Sequence, residues 1–423
     1  MNRTRLLKLC LAVCSAALTY GAAEIVVTVA AAIPRAADSC WLFENSQNTV
    51  HFDAVRGYAL TGTPSRWARV TKGRVEFVGT LKGNSLGFPD RDDFSAARGA
   101  RDERRVAVFG DSFTAGQFLD VNWPDRAERL AGDRGVPLRL LNMAVDGGGL
   151  ANWWSVLTQL VAPQRFDLDG VVFAVFEDDL LRKFSFSEHR GYARHMFART
   201  ASWDPRTYPH TQAEAQPLLE ELPGRIVTHA EMEAALSGAC PAEIPGRTPA
   251  PSRMFARVEP SSRWRPVLAG RIWDLAHAAL ERPPGTPAAP LNPQNPDRQR
   301  LIDDVAEYLR ARRLPSVVVY IPSRDSLLAS EPAPRFLPVV EKFARQIGAR
   351  FVDGRQVFTT LGPDDIRASF FPYDGHWNQR GSDRFAAFVL DAVLQMTGPV
   401  PAPSARSAGV TTASMQSAGL PAR

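Results

Sequence analysis

A serine, a histidine and an aspartate occur in two compact motifs that could together perform nucleophilic catalysis. Residues 106–116 read VAVFGDSFTAG, so that a short apolar run ends in a glycine-flanked turn that carries Ser112. Residues 373–378 read YDGHWN and supply His376, with Asp374 two positions before it. A serine hydroxyl becomes a good nucleophile when an imidazole takes its proton and a carboxylate orients that imidazole. We therefore expect Ser112 to be the nucleophile, His376 its general base and Asp374 the group that orients the ring.

Apolar runs that alternate with helical patterns predict the elements that position these groups. The expected strands are 106–109, 138–142, 170–175, 316–321 and 350–352. The expected helices include 299–313, 336–347 and 380–396. Strand runs without polar alternation are typical of parallel strands that are covered on both faces. The sequence thus predicts an α/β fold, a three-layer α/β/α sandwich around a five-stranded parallel sheet, with the site at the carboxyl ends of the strands.

Several short blocks resemble those of the SGNH hydrolases, also called GDSL esterases. Residues 110–116 (GDSFTAG) resemble the first block of that family, and residues 374–381 (DGHWNQRG) resemble its last block. The two-residue spacing between the aspartate and the histidine is similar to the Asp-x-His-Trp motif of alginate O-acetyltransferases and their relatives. Residues 83–88 (GNSLGF) resemble a turn of membrane-anchored members, with a structural role. The resemblance implies the flavodoxin-like sandwich of this family and a serine nucleophile that forms an acyl-enzyme.

Two further blocks concern the oxyanion hole. Residues 141–149 (LNMAVDGGG) resemble the second block, and the resemblance implies that the N–H groups of Gly147 and Ser112 stabilise the oxyanion. The third block departs from the family, because residues 177–179 (EDD) place Asp178 where the family has an asparagine that donates to the oxyanion. An ionised carboxylate there would repel the oxyanion by on the order of 4 kcal/mol at close range. Four alternatives follow for Asp178. Its carboxyl group is protonated and donates a hydrogen bond to the oxyanion, or it is turned away while another group takes the place of the donor. Otherwise it belongs to an acidic cluster on the surface, or the protein is a weak or inactive relative.

The amino-terminal segment predicts that the main body leaves the cytoplasm. Arg3, Arg5 and Lys8 precede an apolar stretch, 9–33, whose only formal charge is Glu24. Such a segment is either an uncleaved membrane anchor or a cleaved signal peptide. The first alternative tethers the protein to the membrane with its catalytic domain on the periplasmic side, and the second releases it.

Charge and cysteine content exclude several classes of function. Lys and Arg total 50 against 45 for Asp and Glu, and the basic residues are spread along the chain, so we expect no nucleic-acid partner. Two of the four cysteines, Cys10 and Cys14, lie in the apolar segment. Cys40 and Cys240 could form a disulfide in an oxidising compartment or remain two unrelated thiols. Their spacing does not suit zinc, and we expect neither a metal nor a cofactor.

The predicted organisation has four parts. The anchor or signal peptide occupies residues 1–35, a strand-rich preface occupies 36–103, the catalytic domain occupies 104–397, and a disordered tail occupies 398–423. Within the catalytic domain, residues 183–298 form an insertion that is too long for an ordinary loop, and we expect a partly helical cap beside the site.

These observations favour a serine esterase that removes acyl or acetyl groups from an envelope carbohydrate or a related substrate. Two alternatives stay open. The same acyl-enzyme could pass its acyl group to a polysaccharide hydroxyl, which would make the protein an O-acyltransferase such as an O-acetyltransferase. The departure at Asp178 could instead indicate a non-catalytic glycan-binding relative. The acyl group, the alcohol and the oligomeric state are not determined by the sequence.

Overall fold

The structure is a computed structural model that describes residues 15, 19, 20, 39–44, 49–100, 102–190, 194–222, 224–237, 240, 295–328 and 335–397. Three predicted segments lie largely or wholly outside these residues. They are the anchor or signal peptide, of which three residues are described, the tail, and the second half of the insertion, of which residues 295–298 are described. Of the helices in the described part of the chain, none is both long enough and apolar enough to cross a bilayer.

The described residues form fourteen strands and ten α-helices. The strands are β1 (Ser39–Glu44), β2 (Val50–Asp53), β3 (Gly57–Leu60), β4 (Ser65–Thr71), β5 (Arg74–Leu81), β6 (Arg104–Phe109), β7 (Leu138–Asn142), β8 (Gly170–Phe176), β9 (Ser185–Arg190), β10 (Arg194–Arg199), β11 (Glu220–Leu222), β12 (Gly224–Val227), β13 (Ser316–Ile321) and β14 (Arg350–Asp353). The helices are α1 (Ser112–Ala115), α2 (Trp123–Asp133), α3 (Leu150–Val156), α4 (Gln212–Ala215), α5 (His229–Leu236), α6 (Pro296–Arg312), α7 (Arg324–Leu328), α8 (Leu337–Ile347), α9 (Pro363–Arg367) and α10 (Gln379–Met396).

Five parallel strands form the central sheet, in the order β14-β13-β8-β6-β7. Counted along the chain from β6, this is the strand order 2-1-3-4-5 of flavodoxin-like folds. The five strands are those that the sequence predicts, and their ends differ from the predicted ones by no more than two residues. The predicted α/β class and the flavodoxin-like parallel sheet are therefore confirmed.

Alternate side chains of the central sheet face two separate hydrophobic cores. Ala107 and Phe109 of β6 belong to one core, together with apolar residues of α3, α6 and α8. Val106 and Val108 of the same strand belong to the other core, together with residues of α2 and α10. Because helices cover both faces, every residue of β6 is buried. This two-sided burial explains why the strands read as uninterrupted apolar runs.

A second sheet joins the preface to the insertion. Its order is β12-β1-β4-β5, and β1 pairs antiparallel with β4 and parallel with β12. A disulfide joins Cys40 in β1 to Cys240, with their Cα atoms 5.9 Å apart. Of the two alternatives for these cysteines, the structure thus has the disulfide. The described part of the insertion contains strands as well as short helices, and one of these strands completes the sheet of the preface.

The β4–β5 hairpin packs against the loop that follows Ser112 and α1. The carbonyl oxygen of Gln117 accepts hydrogen bonds from Trp67 Nε1 at 2.8 Å and from Thr80 N–H at 3.1 Å. Phe77 contacts Phe118 and Phe371, with ring centroids 5.8 and 5.3 Å apart. The preface is therefore in direct contact with both chain segments that carry the predicted triad.

Candidate active site

Ser112 is the first residue of a short helix that begins directly after the first strand of the central sheet. The side chain of Asp111 caps this helix by accepting a hydrogen bond from Phe113 N–H at 3.0 Å. A Cβ atom at Gly110 would lie 2.2 Å from Thr114 Oγ1, so the turn requires glycine there. The Gly-Asp-Ser sequence thereby holds the hydroxyl at the carboxyl edge of the sheet, where sites of such folds lie.

The three residues predicted as a triad meet in line. Ser112 Oγ lies 2.7 Å from His376 Nε2, although the two residues are 264 positions apart. His376 Nδ1 donates a hydrogen bond to Oδ1 of Asp374. The side chain of Asp374 is 2% exposed and that of His376 is 20% exposed. A buried carboxylate therefore stands behind an imidazole that still reaches solvent.

Aromatic packing fixes the plane of the imidazole. The ring of His376 contacts the rings of Phe113 and Phe118, with centroid distances of 4.5 and 4.6 Å. The backbone carbonyl of His376 accepts a hydrogen bond from Phe371 N–H at 2.8 Å. Two aromatic rings thus pack against the imidazole while its two nitrogens bond to the serine and to the aspartate.

The electrostatics of the pair favour a charged imidazole. Burial lowers the pKa of His376, but the hydrogen bond and the charge of Asp374 and two further carboxylates raise this pKa above its ordinary value overall. Those carboxylates belong to Asp111 and Asp146. Burial raises the pKa of Asp374, but the bond to His376 and the charges of His376 and Arg69 bring it below its ordinary range. Asp374 therefore stays ionised and favours the charged form of the His376 imidazole.

A cavity of about 290 Å³ opens in front of Ser112 and His376. Gly147 lines this cavity in a left-handed conformation with φ of 67°, and a Cβ atom there would lie 3.3 Å from the Phe197 ring. Asp178 is not among the described residues that line the cavity. Gly147 and Ser112 thus line the same cavity, whereas Asp178 does not, and the oxyanion role of Gly147 stays a prediction.

Asp178 faces Arg182 instead of the nucleophile. Its Oδ1 accepts hydrogen bonds from Arg182 Nη2 at 2.7 Å and Nε at 3.0 Å, and its side chain is 45% exposed. Arg182 Nη1 also lies 3.0 Å from Asp111 Oδ2 and 2.6 Å from Asp179 Oδ1. Among the outcomes that the sequence leaves open for Asp178, this geometry matches a carboxylate that is turned away from the oxyanion.

Replacing Asp178 with asparagine is expected to preserve or raise esterase activity, with kcat/KM within about threefold of wild type or above it. The asparagine carbonyl can still accept from Arg182, and Arg182 keeps two other carboxylate partners, Asp111 and Asp179. Steady-state hydrolysis of 4-nitrophenyl acetate by both proteins measures the effect. A loss of a hundredfold or more, the usual result of removing an oxyanion donor, would contradict this placement of Asp178.

Three charged residues near the site carry no motif that the sequence reveals. Arg182 lies four positions after Asp178, and this spacing is the only local signal for their pairing. Arg69 of β4 forms an ion pair with Oδ2 of Asp374. Glu76 of the neighbouring strand contacts Arg69. Arg69 and Glu76 lie on two neighbouring strands of the preface, and nothing in the sequence relates these strands to a loop near residue 374.

A larger cavity, of about 570 Å³, lies elsewhere on the protein and shares no lining residue with the cavity at Ser112. The turn at Asn84 forms part of its wall. Asn84 Oδ1 accepts hydrogen bonds from the N–H groups of Leu86 and Phe88, at 3.0 and 3.1 Å. These bonds close the turn on itself and give the Asn84 side chain a structural role.

No family model and no curated protein matches this chain. Solved structures that match it include TesA, with 12% identity and a TM-score of 0.33 over 69% of this chain and 99% of that chain. Others are a lipase/acylhydrolase from Enterococcus faecalis (11% identity, TM-score 0.32, 69% and 95%) and Axe2, an acetylxylan esterase from Geobacillus stearothermophilus (9% identity, TM-score 0.33, 71% and 97%). One of these neighbours is an acetylxylan esterase and another is a lipase/acylhydrolase.

Proposed function

We propose that this protein is a serine esterase that cleaves carboxylic esters through an acyl-enzyme. The observation that supports this proposal is the continuous line of contacts from Ser112 Oγ to His376 Nε2 and from His376 Nδ1 to Asp374, in front of an open cavity. A buried carboxylate, an oriented imidazole and a half-buried hydroxyl in this order are what nucleophilic catalysis by serine requires.

The geometry supports a two-step reaction. Ser112 Oγ attacks the ester carbonyl while His376 Nε2 takes the hydroxyl proton, and the N–H groups of Ser112 and Gly147 stabilise the oxyanion. His376 then gives the proton to the departing alkoxide, which leaves as an alcohol. In the second step His376 takes a proton from water, and the water oxygen attacks the carbonyl carbon of the acyl-enzyme. The bond from this carbon to Ser112 Oγ then breaks, His376 returns the proton to Ser112 Oγ, and the carboxylic acid leaves.

The size of the cavity and the amino-terminal segment guide the choice of substrate. A cavity of about 290 Å³ is at the lower end of ligand-pocket sizes, which suits a short acyl group such as acetyl. Arg199 and Arg324 line it and offer donors to the hydroxyl and carbonyl groups of a carbohydrate. With the anchor or signal peptide predicted for residues 1–35, we place the reaction outside the cytoplasm, on an acylated carbohydrate of the envelope.

Transfer of the acyl group to a polysaccharide hydroxyl is the second candidate. The two-residue spacing from Asp374 to His376 favours it, because the resemblance to Asp-x-His-Trp acetyltransferases rests on that spacing. Incubation with 4-nitrophenyl acetate and an unacetylated glycan separates the two reactions. Acetylated glycan identifies a transferase, and free acetate alone identifies a hydrolase.

A fluorophosphonate probe tests the proposal directly. We expect the full-length protein to be labelled and the label to map to the peptide that contains Ser112. Heat-denatured protein is the control and should remain unlabelled, since the reaction needs the assembled triad. Absence of labelling in the folded protein would contradict the esterase proposal and favour a non-catalytic carbohydrate-binding protein.

The pH dependence follows from the raised pKa of His376. Only the neutral imidazole can accept the serine proton, so activity is present above this pKa and is lost as the pH falls through it. We expect the acid limb of kcat/KM for 4-nitrophenyl acetate to lie above the ordinary histidine value of about 6.5. Asp146, whose own pKa is raised to about 6 by burial, contributes to this limb through its charge. An acid limb below that ordinary value would contradict the prediction.

A further inference from the structure

Arg69 of the preface occupies the oxygen of Asp374 that the histidine leaves unused. His376 Nδ1 binds Oδ1 of Asp374, and Arg69 Nη1 binds Oδ2. The guanidinium of Arg69 also lies over the ring of Trp41, 5.0 Å from its centroid, and its side chain is 17% exposed. Both oxygens of a nearly buried carboxylate are thus engaged by cationic or potentially cationic partners from two different parts of the chain.

Glu76 holds both the arginine and the loop that carries Asp374. Its Oε2 lies 3.1 Å from Arg69 Nε, and its Oε1 accepts hydrogen bonds from the backbone N–H groups of Tyr373 and Asp374 at 2.7 and 3.0 Å. Thr71 Oγ1 donates a further hydrogen bond to Oε2 at 2.9 Å. The side chain of Glu76 is 1% exposed. A carboxylate buried this far is costly unless it is paired and hydrogen-bonded, and these contacts meet that need.

A β-bulge directs Glu76 toward the site. In the β4–β5 ladder, Arg69 lies opposite Phe77 and the next residue, Val70, lies opposite Val75. Glu76 is therefore the extra residue between two successive pairs. Such bulges re-aim a side chain and are over-represented next to active sites.

We propose that Arg69 and Glu76 are positioning residues for the triad, and that the sheet of the preface is thereby part of the catalytic unit. Arg69 fixes the rotation of the Asp374 carboxylate by holding Oδ2, and Glu76 fixes the backbone from which that carboxylate projects. The catalytic part of this inference rests on the proposed esterase function, whereas the electrostatic part can be measured without it.

The alternation of charges gives the two residues opposite effects on the imidazole. Loss of the Arg69 cation removes its repulsion of the protonated imidazole and therefore raises the pKa of His376. Loss of the Glu76 anion removes an attraction to the same charge and therefore lowers this pKa. Asp111, before α1, and Asp146, after β7, also face the ring with their charges and are left unchanged by both substitutions. The neighbouring rings of Phe113 and Phe118 do not titrate.

The test measures the pKa of His376 by nuclear magnetic resonance in the full-length chain with labelled histidine, assigned with His376→Gln. We expect Arg69→Met to raise this pKa by about 0.5 to 1 unit and Glu76→Gln to lower it by about half a unit. Arg69→Lys, which keeps the charge, should restore most of the wild-type value. Shifts in the same direction, or no shift in either variant, would overturn the proposal.

Ester hydrolysis provides the second readout. We expect kcat to fall about 10- to 100-fold in Arg69→Met and in Glu76→Gln while KM stays within about threefold, because an outer partner of a catalytic group acts on the chemical step. Arg66→Met is the matched control, since Arg66 lies on the same strand but pairs with Glu44 and Glu233. Full activity in the Arg69 and Glu76 variants would overturn the positioning role.

A wild-type protein without activity or probe labelling would instead overturn the esterase proposal, and the titration would still decide whether the two charges act on His376. If Arg69→Met does not fold, Arg69→Lys replaces it in the kinetic test alone. Lysine keeps the charge but cannot contact both Glu76 and Asp374 as the guanidinium does, so a lower kcat supports the positioning role and full activity overturns it.

Discussion

Substitution of Ser112 by alanine is expected to lower kcat/KM for 4-nitrophenyl acetate by at least about 10⁴-fold. Removing the nucleophile leaves only the binding of the ester and the oxyanion donors, and serine enzymes lose most of their rate enhancement in this way. The side chain is half-buried and smaller after the change, so the fold should be unaffected, which a thermal melt can verify.

Ser323→Ala is the matched control for that experiment. Ser323 lines the same cavity as Ser112, but the two hydroxyl groups have different partners. Ser323 Oγ accepts a hydrogen bond from Ser326 N–H at 3.2 Å, and Ser112 Oγ is hydrogen-bonded to His376. We expect its activity to remain within about threefold of wild type. Comparable hydrolysis by wild type and Ser112→Ala would show that another group performs the reaction and would end the nucleophile assignment.

Substitution of Asp374 by asparagine is expected to lower kcat about 10⁴-fold with little change in KM. The amide can present an N–H to His376 Nδ1 where the carboxylate accepted one, which favours the imidazole tautomer that cannot take the serine proton. The loss of charge also removes the partner that stabilises the imidazolium, and it leaves Arg69 without its ion pair to this residue.

Asp325→Asn serves as the control for Asp374→Asn. Asp325 lines the same cavity, but its side chain is 84% exposed and pairs with Arg324. Its removal should change kcat by less than about threefold. If Asp374→Asn lost less than tenfold in kcat, the buried carboxylate would have a structural role only, and the triad would reduce to a serine–histidine pair.

The central sheet could be predicted nearly to the residue because its signal is local. The three inner strands, β6, β8 and β13, each contain a single apolar run, and burial on both faces excludes charged residues from that run. The ends are defined by turn residues such as Gly110 after β6. Helix α10 begins one residue before its predicted start because Asn378 caps it, with its side chain accepting from Gly381 N–H.

The triad residues could be identified because each lies in a short motif with a fixed place relative to a strand or a helix. Asp178 was harder, since register alone placed it at the oxyanion and the structure pairs it with Arg182, a residue outside every motif. The pairing of Arg69 with Asp374 could not be predicted at all. It joins residues 305 positions apart through a contact between a hairpin and a loop, and no local pattern encodes such a contact.

The second sheet shows the same limit on a larger scale. Strand β12 lies within the predicted insertion but pairs with β1 at the start of the preface, and the disulfide bridges 200 residues. A strand of four residues carries too little periodicity to reveal its partner. The alternation of side chains along the preface strands predicts which residues share a face of the sheet. Only tertiary packing decides which loop that face contacts.

The contact between hairpin and triad also decides how this protein can be divided in the laboratory. A fragment that begins at residue 104, where the sequence suggests a natural start, would contain the nucleophile, the imidazole and its carboxylate but neither Arg69 nor Glu76. It would also uncover Phe118 and Phe371, which Phe77 covers in the intact chain. Such a truncated product would present fresh apolar surface to solvent and tend to aggregate. Recombinant work on this protein should therefore retain everything from β1 onward, and should be carried out in a host compartment that allows Cys40 and Cys240 to oxidise.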